Sequence, residues 1–190
     1  MSCNEEEVKR LLPLVPLFRQ EQALKYKHVF GQWATLKSWV MLQELVGRTC
    51  DDVFYGPYGK PYLKDGPYFS ISHCKTAVAV AIDEKYEIGI DIESIRHVDK
   101  ALIERTMNME EQAQIAAASD SNRAFTDLWT QKEAILKARG TGIVDDLSTV
   151  LSNSSQESSI GLRGCEVPMK FRSDSVTDRW ILHGFYKVSL

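Results

Sequence analysis

Two carboxylates stand two residues apart in "IGIDIE" (residues 88–93), Asp91 and Glu93. In an extended strand this spacing sends both side chains out of the same face, where their charges repel. A strand end at which the acids simply reach water would look like this. So would a site where a hard divalent cation lies between them, since oxygen ligands around a positive charge relieve the repulsion. A second group lies in "WTQKEAILKARGTG" (129–142), where Glu133 and Lys137 are four apart and Lys132 adjoins Glu133. On a helix this is either a surface pair worth about 0.2–0.5 kcal/mol, or a carboxylate for metal or base work beside two phosphate-binding ammoniums. A third group joins "GPYGKPYL" (56–63), a turn exposing backbone amides and Lys60, to "FSISHC" (69–74), which puts Ser70 and Ser72 on one strand face ahead of His73. A serine hydrolase is a poor fit. The chain has no GxSxG elbow, and adjacent Ser72 and His73 leave opposite faces of a strand.

The elements that must carry these residues follow from periodicity. "QALKYKHVFGQWATLKSWVMLQELV" (22–46) repeats Ala23, Tyr26, Phe30, Trp33, Leu36 and Val40 at spacings of three and four, which predicts one amphipathic helix stopped by Gly47. Pro13 and Pro16 limit any helix before it. "YFSISHCKTAVAVAIDEKYEIGIDIE" (68–93) reads as two strands in a hairpin that turns near "DEKY". Residues 99–119 and 122–140 return to helix, the second with an apolar face from Phe125 to Ala138 and Gly140 as its stop. "SNSSQESSIG" (152–161) reads as a surface loop, and "GCEVPMKFRS" (164–173) and "RWILHGFYKVSL" (179–190) as closing strands. The order helix–strands–helices–strands predicts an α+β fold of two similar halves, 1–90 and 91–190, each a helix on a small antiparallel sheet. They meet near residues 91–98, with the site between them.

Composition narrows the class. With 190 residues, 44% of them apolar and 26% charged, the chain can bury a core. A net charge of −3 does not fit a general nucleic-acid binder, so no nucleic-acid partner is expected. No apolar run reaches the roughly 18 residues of a membrane span. The opening "MSCNEEEVKR" is acidic where a signal peptide would be basic, so a cytoplasmic protein is expected. Cys3, Cys50, Cys74 and Cys165 are scattered without CxxC pairing, which fits reduced thiols rather than zinc or disulfides.

Taken together and in order, "GKPYL", "FSISH", "IGIDIE" and "WTQKEAILKARGTG", with Glu133 following Asp91 by 42 residues, resemble the 4′-phosphopantetheinyl transferases. The family pattern is (I/V)G(I/V/L)D, about forty residues, then W(S/T/C)xKE(A/S)xxK, and "IGID" and "WTQKEAILK" satisfy every fixed position. The upstream "GKP" and "SISH" point to the larger, pseudo-dimeric surfactin-synthetase-activating type. The likeness covers roughly residues 22–143.

The resemblance implies transfer of the phosphopantetheine arm of coenzyme A to a serine hydroxyl of an apo acyl or peptidyl carrier protein, releasing adenosine 3′,5′-bisphosphate. It implies that Asp91, Glu93 and Glu133 bind Mg²⁺ or Mn²⁺. It implies that Glu133 is also the base, acting on the serine directly or through a metal-bound water. Lys132 and Lys137 would grip the phosphates of coenzyme A, Lys60 and Pro61 would sit by its adenosine, and Ser72 and His73 would contact phosphate there. The first half would thus serve coenzyme A and the second the metal and the chemistry. The family's first helix carries an arginine toward the phosphates. Here the best-placed basic residue is Lys37, which lacks arginine's bidentate fork. "LIERTMNME" (102–110), with Met107 and Met109, would offer apolar contacts to the carrier or belong to the core. A pseudo-dimer in one chain implies a monomer. Two other functions use the same residues: a relative that binds coenzyme A or a carrier without turnover, and a metal-dependent phosphohydrolase.

Overall fold

The computed structural model describes residues 3–142, 146–150, 162–164, 170–175 and 180–187. The Ser-rich stretch 152–161 and Cys165 lie outside the described residues. In chain order the elements are α1 (Glu5–Leu11), a 3₁₀ turn (Leu12–Leu14), α2 (Leu17–Leu24), α3 (Val29–Val46), β1 (Val53–Tyr55), β2 (Pro61–Leu63), β3 (Tyr68–His73), β4 (Ala77–Asp83) and β5 (Glu87–Ser94). Then come α4 (Lys100–Thr106), α5 (Met109–Ala117), α6 (Ser121–Arg139), a second 3₁₀ turn (Leu147–Thr149), β6 (Leu162–Gly164), β7 (Lys170–Ser175) and β8 (Trp180–Lys187). The fold is α+β.

Two helix ends fall where the sequence puts them: Gly47 (φ 79°) and Gly140 (φ 71°) close α3 and α6 in the left-handed conformation that glycine adopts at little cost. The helix expected over 22–46 is instead two. His28 is extended (φ −101°, ψ 135°), and the Tyr26 ring folds back over Gly31 while Gln32 Nε2 donates to Tyr26 O at 2.8 Å. An apolar period continues across such a bend unchanged, because it records which residues are buried and not whether the axis is straight. The second helix, α3, is buried nearly all round, with Trp33, Leu36, Trp39 and Leu42 in the main core beside Phe69, Val78 and Val80.

The expected hairpin at "DEKY" is also corrected. β4 pairs antiparallel with β3 (Ser72↔Ala79) and with β7 (Val80↔Arg172), whereas β5 pairs with β8 (Asp91↔His183), which in turn pairs with β6. Two three-stranded sheets result, β3-β4-β7 and β5-β8-β6, beside a small ribbon of β1 and β2. Residue 90 thus falls inside β5, and the first sheet takes its third strand from the far end of the chain.

The two sheets meet along β3 and β5, joined by side chains rather than a backbone ladder. Ile90 N–H donates to Ser70 Oγ at 3.0 Å, Ile92 N–H to Ser72 Oγ at 3.3 Å, and Ser94 Oγ to Cys74 Sγ at 3.2 Å. These partners rise together along both strands, so β3 and β5 run in the same direction. Ser70→Ala should therefore leave a buried N–H without an acceptor, lowering stability by about 1–3 kcal/mol and Tm by roughly 2–12 °C. Differential scanning calorimetry checks this, and an unchanged Tm would remove the seam's role.

Candidate active site

Strand β5 alternates cleanly. Ile88, Ile90 and Ile92 are buried among Ala77, Ala79 and Ala81 of β4. Gly89, Asp91 and Glu93 therefore share the opposite face, toward α6. Gly89 brings that helix in. A Cβ on Gly89 would collide with Ala138 N and Ala134 O and lie 2.7 Å from Lys137 C, so only a residue without a side chain allows helix and strand backbones to touch.

This approach sets the electrostatics. Lys137 Nζ lies 2.6 Å from Asp91 Oδ1 and donates to Ser72 Oγ at 2.9 Å, while Ser72 Oγ donates to Asp91 Oδ1 at 2.7 Å. Asp91 is 4% exposed, and its other oxygen, Oδ2, is buried with no hydrogen-bond partner. Burial and the Asp91 charge together push the Glu93 carboxyl up to about 7, with Arg96 and Lys137 pulling the other way. The same two causes raise Glu133, with Lys137 opposing. Asp91 and each of these two glutamates thus feel one another's charge, and Lys137 balances part of it.

Among the described residues no three acidic, imidazole or thiol groups close into a ready-made metal cage. The donor set still fits Mg²⁺: all its donors are carboxylate oxygens, one is buried and orphaned, and this ion completes its shell with water and substrate phosphates.

A cavity of about 340 Å³ opens beside these groups, lined by Tyr58, Pro61 and Ser70 from one side and by Glu133, Leu136 and Lys137 of α6 from the other. A larger space of about 720 Å³, bordered by Tyr62, Tyr68, Glu84, Glu87 and Arg139, adjoins it across Lys60 and Pro61. Asp91 and Glu93 do not line the first cavity. Asp91 is buried against Lys137 and Ser72, and half-buried Glu93 borders a separate small pocket with Arg96, Phe125 and Trp129.

The other expected site residues divide. Lys60 and Pro61 line both cavities, but the Lys60 ammonium is turned inward, donating to Ile88 O at 3.1 Å and Ala138 O at 3.2 Å. His73 ends β3. Crowding by protein, then the charges of Lys137 and Arg19, holds its imidazole pKa below the ordinary value, although the residue keeps a face to solvent. Lys37 is 4% exposed in the middle of α3, in the field of Glu7, and lines neither cavity. Lys132 is fully buried and faces away, toward Glu111. Met107 is 1% exposed in a cluster with Val98, Ile115, Phe125 and Leu128, whereas Met109 is 87% exposed.

Sequence reasoning missed two ties. Gly89 had a signal, since a glycine inside a strand marks close backbone approach. The contact between His183 Nε2 and Asp127 Oδ1, 3.0 Å long, fastens β8 to α6 and holds the Asp127 carboxyl below its usual range. Its partners are 56 residues apart in the chain, and no local pattern links them.

A family model described as the 4′-phosphopantetheinyl transferase superfamily matches residues 87–183, a span that holds β5, α6, Asp91, Glu93 and Glu133. The chain belongs to the 4′-phosphopantetheinyl transferase superfamily. Among its relatives, the 4′-phosphopantetheinyl transferase psf-1 of Bacillus pumilus is 27% identical over 168 residues, covering 83% of this chain and 72% of that protein. The 4′-phosphopantetheinyl transferase AcpT of Salmonella typhi is 33% identical over 112 residues, covering 54% of this chain and 58% of that protein. The match therefore spans between 58% and 72% of these relatives' own lengths. The crystal structure of Thermotoga maritima holo-[acyl-carrier-protein] synthase overlaps 55% of this chain and 64% of that one, at 16% identity and a TM-score of 0.36, too distant to carry an argument. No helix among the described residues is long and apolar enough to cross a membrane.

Proposed function

We propose that this transferase moves the 4′-phosphopantetheine arm of coenzyme A onto a serine hydroxyl of an apo acyl or peptidyl carrier protein, in a Mg²⁺-dependent reaction. One observation carries the reading: Glu133 and Lys137, four apart on α6, line a cavity that also takes in the Lys60–Pro61 turn, and Lys137 reaches from it to the buried Asp91. In the step, the serine oxygen bonds to the phosphorus that bears pantetheine. The bond from that phosphorus to the bridging oxygen breaks, and adenosine 3′,5′-bisphosphate leaves with the electron pair. Glu133, which lines the cavity beside Lys137, takes the serine proton. Lys137 offers its ammonium to the phosphates, and Ser72 and Asp91 fix the direction in which it points.

Mg²⁺ held by Asp91, Glu93 and Glu133 would supply charge neutralisation at the pyrophosphate. The Lys60–Pro61 turn and His73 serve the adenosine and its phosphate, and exposed Met109 offers an apolar contact to the carrier. Lys37 and Lys132 have no part in this reading, because neither reaches the cavity. Every residue named lies in one chain, so a monomer suffices, and soluble carriers in the cytoplasm are the natural substrates.

The test is to incubate the protein with Mg²⁺, coenzyme A and apo carriers and to follow carrier mass. A gain equal to the phosphopantetheine arm, lost with excess chelator and lost in Glu133→Gln, is the expected result. Full activity in chelator or in Glu133→Gln would remove the mechanism. Coenzyme A binding without any gain would mark a binding relative, and release of free phosphate a hydrolase.

A further inference from the structure

Lys132 adjoins Glu133 in sequence, yet its ammonium lies far from the cavity in character. It is 0% exposed and donates to Glu111 Oε2 at 2.7 Å, Thr106 O at 3.1 Å and Leu147 O at 2.9 Å. A lysine carries three ammonium protons, and here each has an acceptor. Thr106 is the last residue of α4, so its carbonyl is one of the groups a helix leaves unpaired at its negative end. Glu111 Oε2 also accepts from Asn108 N–H at 2.7 Å, while Asn108 Oδ1 accepts from Glu111 N–H at 2.9 Å, the capping box that begins α5. Leu147 belongs to the turn beyond α6. One ammonium therefore fastens α6 to the end of α4, the start of α5 and the segment that follows.

Such a pair adds little net stability, because desolvating two charges offsets most of their attraction. What it does fix is orientation. Residues 132 and 133 project about 100° apart around a helix axis. The Gly89 contact sets how close α6 comes to β5, and anchoring residue 132 on another side sets the rotation at that distance. We infer that Lys132 is a positioning residue: the buried Lys132–Glu111 pair fixes the rotation of α6 and so holds the Glu133 carboxylate toward Asp91 and Glu93. This rests on the transferase reading above and moves Lys132 from the phosphates to the frame.

The test compares wild type, Lys132→Met, Glu111→Gln and the double variant for kcat, KM for coenzyme A, and affinity for Mn²⁺ read by electron paramagnetic resonance with coenzyme A present. Glu111→Gln keeps an acceptor for Asn108 N–H, so it carries the test alone if Lys132→Met does not fold. The expected result is a kcat at least about tenfold lower with KM for coenzyme A within about twofold, Mn²⁺ bound at least about fivefold more weakly, and a double variant no worse than the weaker single. Folded variants with wild-type kcat and Mn²⁺ affinity would show a purely structural pair and overturn the inference. A tenfold rise in KM for coenzyme A at unchanged kcat in Lys132→Met would return that residue to the phosphates and also overturn it. If wild type makes no holo-carrier but the Mn²⁺ loss appears as expected, the transferase reading falls and the positioning role stands. If wild type neither transfers nor binds Mn²⁺, both fall.

Discussion

Asp91→Asn should lower kcat by at least about a thousandfold, about 4 kcal/mol of barrier, while the protein still folds. The substitution is nearly isosteric. Oδ1 can still accept from Ser72 and Lys137, so the local frame survives. What changes is the second position, the buried oxygen without a partner, which becomes either an amide nitrogen that no cation will accept or an oxygen without formal charge. Repulsion also falls, since the Asp91 charge helps to raise both Glu93 and Glu133. Metal-free Asp91→Asn should accordingly melt no lower than the metal-free wild type. A rate assay with Mg²⁺ and a melt in chelator check the two halves of the prediction. Activity within tenfold of wild type would show that this carboxylate is not a metal ligand. A large fall in Tm would show that its main work is structural.

Gly89→Ala should be the most damaging single methyl group in the molecule. The added carbon would meet backbone atoms of Ala134, Lys137 and Ala138, and backbone cannot rotate aside as a side chain can. Helix α6 would have to withdraw from β5. Overpacking of this kind costs about 1–3 kcal/mol, and more where only backbone is in the way. At roughly 2–4 °C per kcal/mol, Tm should fall by about 6 °C or more. Activity should fall further than stability explains, because withdrawal parts Lys137 from Asp91 and turns Glu133 out of reach. Assays well below the lowered Tm separate the two effects. A variant that melts and turns over like wild type would mean that helix and strand are not in contact.

Much of this was legible in the sequence because it is local. "WTQKEAILK" places Glu133 and Lys137 on one helix face by spacing alone, and Asp91 and Glu93 share a strand face for the same reason. Gly47 and Gly140 end their helices as read. The failures have one physical origin: a neighbour in sequence need not be a neighbour in space. Lys132 next to Glu133 looked like a second phosphate ligand, but one step along a helix is a quarter turn, and that quarter turn points it at Glu111. Lys37 has helical spacing and charge, and nothing in either reveals that α3 is covered on nearly every side. The turn at "DEKY" is real, but whether strands on either side of a turn pair with each other depends on partners far down the chain.

That dependence reaches into how the chain is made. Strand β4 is flanked by β3, which precedes it at once, and by β7, whose register (Ala77↔Ser175 to Ile82↔Lys170) joins residues 88 to 98 positions apart. While the ribosome is still adding α4, α5 and α6, β4 has one open edge and a sequence, "AVAVAI", rich in small and β-branched residues that would pair with any other strand offered. Contacts this distant form late and slow the whole reaction. The two halves therefore cannot mature one after the other as beads on a string, because the first is finished only when the second has supplied its strand. Nascent chains stalled before residue 170 should be the form most exposed to aggregation.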